Sequence, residues 1–83
     1  MIVLIAERDQ KLARFVERAL CEEGYTVECC ARGCEALERL DAGSYDLVLL
    51  DRAIPDGDGI DVCKKVRGGG SSVPILMMSK PIF

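Results

Sequence analysis

Two stretches of this chain are apolar without interruption and then stop at a carboxylate. Ile2 to Ala6 reads IVLIA and runs into Glu7, and "YDLVLLD" ends in Asp51. A strand with one wet face alternates apolar and polar residues; a continuous, branched apolar run needs cover on both faces. A sheet covered on both sides requires helices between its strands, and the spacing of the intervening residues supplies them. After Ala6, Leu12, Phe15, Val16, Ala19 and Leu20 recur at three- and four-residue steps, predicting a helix from an Asp9 cap to about Glu23 with one apolar stripe. Gly24 ends it with a residue that tolerates the left-handed cap.

"YTVECC" has the branched and aromatic content of a short second strand. "RGCEALERLDAG" places Ala36, Leu37 and Leu40 on one helical face, closing at Gly43. "IPDGDG" is turn chemistry, with Pro55 fixing φ. A third helix is expected from about Asp58 to Val66, then "GGGSS" as a connector and "VPILMMS" as a last strand. No Gly-Lys-Ser/Thr follows the glycine run, so it is not a phosphate-binding loop of the Walker type. The order β-α-β-α-β-α-β predicts a parallel sheet with right-handed crossovers and helices on both faces.

The chain has 83 residues, enough for one domain, with 49% hydrophobic residues and neither His nor Trp. A net charge of −3 with both signs interspersed excludes a basic stripe for nucleic acid. No apolar run approaches the roughly 20 residues of a membrane span, and "MIVLIA" lacks a basic lead-in and a cleavage site. A cytoplasmic location is the expectation. The five cysteines, Cys21, Cys29, Cys30, Cys34 and Cys63, are odd in number and lack C-x-x-C spacing. They read as small buried hydrophobes rather than a disulfide framework or a thiolate metal site.

In open parallel sheets, ligands sit beyond the carboxyl ends of the strands, where the strand order reverses. Those ends here carry Glu7–Arg8–Asp9, Asp51 and Ser79–Lys80. Asp51 alone could merely cap a turn. Carboxylates on neighbouring strand ends, however, repel each other unless a cation lies between them, and Mg²⁺ needs only one or two of them plus phosphate oxygens. An aspartate in such a setting is a nucleophile toward a phosphoryl group, with Ser79 and Lys80 as donors to the phosphoryl oxygens.

On these residues the chain resembles the receiver domain of two-component response regulators, especially the OmpR/PhoB-type class. The matching stretches are "VLIAERDQKLARFVERALCEEGYTVE", "GCEALERL", "YDLVLLDRAIPDGDGIDVCKKVR", "VPILMMS" and "KPIF", nearly the whole chain. The resemblance implies a flavodoxin-like (CheY-like) doubly wound parallel sheet. It would be incomplete, with about four strands in the order 2-1-3-4 and three helices. It implies a single partial receiver domain over residues 1–83 with no output domain. By position, Asp51 falls on the phosphoacceptor served by a histidine kinase. Glu7 falls on an acidic position holding Mg²⁺ through water, Ala53 on a backbone-carbonyl metal ligand, Ser79 on the switch hydroxyl and Lys80 on the lysine that contacts the phosphoryl group. The implied class is a signalling domain, not an enzyme beyond its own phosphorylation and dephosphorylation.

Two departures change the expectation. Arg8 occupies the second acidic position, a direct metal ligand in the family. Unit charges about 4 Å apart interact by roughly 4 kcal/mol at an effective dielectric near 20, so Mg²⁺ should be held weakly. Arg8 either turns its head to water or forks onto Asp51 in place of the ion. The second departure is that Ser79 and Lys80 are adjacent, where the family has a helix and a fifth strand between them. The domain therefore looks C-terminally truncated or internally shortened. Ile75 and Met77 point to one side of the last strand and Leu76 and Met78 to the other, leaving an apolar edge. A homodimer or strand-exchanged dimer through that edge is expected. The alternative function is a phosphorylation-independent pseudo-receiver, an interaction module whose site Arg8 neutralises.

Overall fold

In the computed structural model, residues 1–79 are described. Four parallel strands form the sheet: β1 (Ile2–Ala6), β2 (Thr26–Cys30), β3 (Leu47–Asp51) and β6 (Ile75–Met78), in the order β2-β1-β3-β6. The expected order 2-1-3-4 is thus observed. The later number of the fourth sheet strand reflects a small antiparallel ribbon, β4 (Ala53–Ile54) and β5 (Gly57–Asp58), folded around the Pro55–Asp56 turn. Three helices connect the strands: α1 (Gln10–Glu22), α2 (Gly33–Ala42) and α3 (Gly59–Gly68). Helix α3 runs two residues beyond the expected Val66, because a helix tolerates Arg67 and a terminal glycine before the left-handed Gly70 breaks it.

The period-2 geometry of each strand sorts its side chains onto two faces. Leu4, Ala6, Val48 and Leu50 pack with Ala36 of α2 and with Val62 and Val66 of α3, joined by Ile75 and Met77. Val3, Ile5 and Leu49 pack with Ala13, Val16 and Leu20 of α1, joined by Met78. So α1 lies on one face and α2 and α3 on the other. Asp9 caps α1 by accepting from the backbone N–H groups of Lys11 and Leu12 at 3.1 and 3.2 Å. Gly24, at φ +91°, turns the chain out of that helix.

Two expectations about burial need correction. Phe15 and Ala19 belong to the apolar stripe of α1, yet Phe15 is 72% exposed and Ala19 is exposed as well. The helix meets the sheet along Ala13, Val16 and Leu20, and at 100° per residue Phe15 falls well round its side. The stripe is wider than the strip of sheet that the helix covers. Leu76, in register with Leu49 and hence on the α1 face, is 58% exposed, which agrees with the expected apolar edge. Nor are the cysteines uniformly buried: Cys30 is, Cys29 and Cys63 are half-buried, and Cys21 and Cys34 are exposed. All five are free thiols. Burial pushes the Cys30 thiol up to about 11, which keeps it protonated and unreactive.

One close approach locks α3 to the sheet. The Gly59 N–H donates to the Arg52 carbonyl at 2.7 Å, and a Cβ at Gly59 would lie 2.6 Å from the Asp51 carbonyl oxygen. That neighbour is backbone and cannot rotate aside. Gly59→Ala is therefore expected to destabilise the fold by about 1–3 kcal/mol, as other overpacked positions do. Urea denaturation of the two proteins checks it, and an unchanged midpoint would show that the contact relaxes freely.

Candidate functional site

The parallel register decides which residues meet. Ala6 pairs with Leu50, and Asp51 pairs with Met78. One residue further along, Glu7 stands beside Asp51 on adjacent strands and Ser79 follows on the other side of β3. The order reverses between β1 and β3, since the chain leaves β1 toward β2 and returns across it to β3. The cluster therefore lies at the carboxyl edge of the switch point, where parallel sheets bind ligands.

A cleft of about 580 Å³ opens at this edge, lined by Arg8, Asp51, Arg52, Ala53, Gly57, Asp58 and Ser79. Asp51 is 2% exposed. Its Oδ1 accepts from the Ala53 N–H at 3.0 Å, an Asx-type turn that also shapes the start of β4. Its Oδ2 is buried with no hydrogen-bond partner among the described residues. A buried carboxylate oxygen with nothing to bind is costly, and a cation or a donor brought by a ligand is what relieves it. Glu7 is 1% exposed, outside the cleft lining, with its Oε1 accepting from the Asp9 N–H at 3.0 Å.

Ser79 and Ala53 are exposed and line the cleft with Asp51. Lys80 lies outside the described residues. Arg8 lines the cleft, is exposed, and makes no ion pair with Asp51 or any other described carboxylate. Of the two arrangements open to Arg8, the one in which it forks onto Asp51 is not adopted.

The residues suit a hard divalent cation through oxygen alone. No group of three or more Cys, Asp or Glu side chains converges among the described residues. A cation here would rest on the buried Asp51 carboxylate, on Glu7 beside it, and on the Ala53 carbonyl, with water and substrate oxygens completing the shell. That is a donor set fit for Mg²⁺ and short of a tight, all-protein cage.

Motif reading missed two features around this cleft. Asp58 appears in it only as a helix start. Its Oδ1 caps α3 by accepting from the Ile60 N–H at 2.9 Å and stands 3.8 Å from Arg52 Nε, at the rim of the cleft. Asp56, in the ribbon turn, reaches across to α2, where its two oxygens accept from the Gly33 and Cys34 N–H groups at 2.8 and 3.0 Å. The preceding residue, Arg32, makes no side-chain cap to that helix, so Asp56 caps it from a distance in sequence. The signal was the uncapped "ARGCE" start, but the partner lies 23 residues away.

Those backbone donors, Gly33 first, hold the Asp56 carboxyl down at about 2, from an ordinary 3.8. A depressed acid favours the folded state most when it is ionised in both states. The contribution is complete above the unfolded value and disappears as pH falls through the folded one. Asp56→Ala should lower the thermal midpoint by a constant amount from neutral pH down to about 5. The gap should then close between 3.8 and about 2. Melting both proteins across that range decides it; a gap that persists at the acid end would remove the carboxylate from the explanation.

The comparisons with known proteins agree with this geometry. Residues 3–81 match the family model described as the response regulator receiver domain. The chain is 39% identical over 77 residues to the transcriptional regulatory protein TcrA of Mycobacterium tuberculosis, covering 93% of this chain and 30% of TcrA. It is 36% identical over 78 residues to the response regulator ArlR of Staphylococcus aureus, covering 94% and 36%. The chain thus spans about a third of the length of the curated relatives it matches. Among solved structures, a Francisella response regulator receiver domain superposes with TM-score 0.91 at 31% identity, over 94% of this chain and 64% of that one. The response regulator TrrA of Thermotoga maritima, in complex with Mg²⁺-BeF, superposes with TM-score 0.89 at 28% identity, over 94% and 68%.

Proposed function

The chain belongs to the response regulator receiver domain family of two-component signalling, and from that membership we propose that Asp51 accepts a phosphoryl group from a histidine kinase. The observation that carries the reading is the state of Asp51. It is a buried carboxylate at the floor of an open cleft, with Oδ1 held by the Ala53 N–H and Oδ2 without a partner among the described residues. The bond at 3.0 Å orients the carboxylate, and the remaining oxygen accepts from no described donor.

In the proposed reaction that oxygen attacks the phosphorus of the donor. A P–N bond breaks when the donor is phosphohistidine, and the electron pair and a proton go to the imidazole. A P–O bond breaks when it is acetyl phosphate, and acetate leaves. Little covalent chemistry is asked of the protein in phosphoryl transfer, so positioning and charge dominate. Mg²⁺ held by Asp51, Glu7 and the Ala53 carbonyl would supply positive charge against the phosphoryl oxygens. Ser79, at the end of β6 and lining the same cleft, is the proposed hydroxyl donor to one of them. Lys80 is proposed as a further phosphoryl contact on the motif alone. That the relative TrrA is described with Mg²⁺-BeF supports the metal in this reading.

A second reading, an interaction module independent of phosphorylation, is favoured by the apolar edge. β6 is an outer strand, and Leu76 on it is 58% exposed. Pairing of two such edges, as a homodimer or by strand exchange, is the form this reading takes. None of the helices among the described residues is long and apolar enough to cross a membrane.

One experiment separates the readings. Incubation with acetyl phosphate and MgCl₂ is expected to yield an acid-stable, hydroxylamine-labile adduct, seen by intact-mass spectrometry and abolished in Asp51→Asn. An adduct that survives in Asp51→Asn would move the site elsewhere. No adduct at any Mg²⁺ concentration would leave the interaction module.

A further inference from the structure

Of the four charged side chains lining the cleft, Arg52 and Asp58 face each other at 3.8 Å. That leaves Asp51, buried at the floor, and Arg8, exposed at the rim with no carboxylate partner among the described residues. Arg8 lies two residues past the end of β1, the strand next to β3, and its exposed side chain lines the cleft. A guanidinium always carries its charge and presents a planar fork of donors that matches two oxygens of a phosphoryl group.

We propose that Arg8 is a phosphoryl-binding residue. It receives the oxygens of the group attached to Asp51, and so supplies from within the chain part of the positive charge that the reaction requires. This rests on Asp51 being the phosphoacceptor. The consequence is a shifted dependence on metal. A cation at position 8 repels Mg²⁺ from the empty site, and attracts the dianionic group whether or not Mg²⁺ is present. The resulting domain binds free Mg²⁺ poorly and still takes up a phosphoryl group when Mg²⁺ is scarce.

The test compares wild type with Arg8→Ala, Arg8→Lys and Arg8→Asp, using acetyl phosphate as donor. The adduct is followed by intact-mass spectrometry in EDTA and across a MgCl₂ titration, and calorimetry of MgCl₂ binding without donor provides a second readout. Arg8 is exposed, and circular dichroism verifies that each variant is folded. In EDTA, wild type should form the adduct at least tenfold faster than Arg8→Ala, with Arg8→Lys between them because it keeps charge without the fork. The half-saturating acetyl phosphate concentration should rise in Arg8→Ala, as it does when a ligand for the donor itself is lost. Arg8→Asp should bind MgCl₂ at least tenfold more tightly than wild type and make the adduct strictly metal-dependent.

Equal rates for wild type and Arg8→Ala in EDTA and throughout the titration would overturn the proposal while leaving Asp51 as acceptor. Faster labelling of Arg8→Ala in EDTA would also overturn it, making Arg8 a barrier. No adduct in any of the four proteins, with or without MgCl₂, would overturn the phosphoacceptor reading, and this proposal with it.

Discussion

The parallel pairing of β3 between β1 and β6 is the constraint on which everything else depends. Parallel register brings the carboxyl ends of the three strands level, so Glu7, Asp51 and Ser79 meet although 44 and 28 residues separate the first from the second and the second from the third in this sequence. The strand interiors are apolar and buried, Val3, Leu4, Ile5 and Leu50 at 0% exposure, and they hold that register because a slip would carry each side chain to the opposite face and undo its packing. Gly59 then draws α3 against the end of β3, closing the loop that shapes the cleft.

Electrostatics at the cleft follow from what that framework buries. Asp51 is taken out of water with only one of its oxygens satisfied among the described residues, a cost that a well-packed fold carries only at a few positions. Around it the charges are arranged in different states of commitment. The Arg52–Asp58 pair is exposed and contributes little to stability, whereas Asp56 holds the ribbon to α2 through two backbone bonds. The ribbon beside Asp51 is thus tied at both ends, to α2 by Asp56 and to α3 by the Asp58 cap. Any ligand entering the cleft meets a braced floor and an exposed Arg8 at the rim.

Much of this was legible in the one-dimensional pattern. The IVLIA and LVLL runs could only be covered strands, and the Asp9 cap and the Gly24 exit were readable from residue chemistry alone. Glu7, Arg8, Asp51 and Ser79 could be assigned to one strand-end edge from the pattern, because alternating strands and helices force the carboxyl ends together, whereas Ala53 came only from the family resemblance. Other features were not legible for physical reasons. Phe15 and Ala19 satisfy the helical period as well as Val16 does, and periodicity does not report how wide a strip of sheet a helix covers. Asp56 resembles any turn aspartate, since its partners, Gly33 and Cys34, belong to a helix more than twenty residues earlier.

The sequence by itself determined the class of fold, the strand ends that carry charge and the presence of a guanidinium at position 8, because period and residue chemistry are local properties. Tertiary structure alone decided where that guanidinium goes and which oxygen of Asp51 is left without a partner among the described residues. It also decided that Gly59 serves close approach rather than backbone freedom. Each of these depends on distances between segments remote in the chain, and those distances exist only once the sheet has set its register.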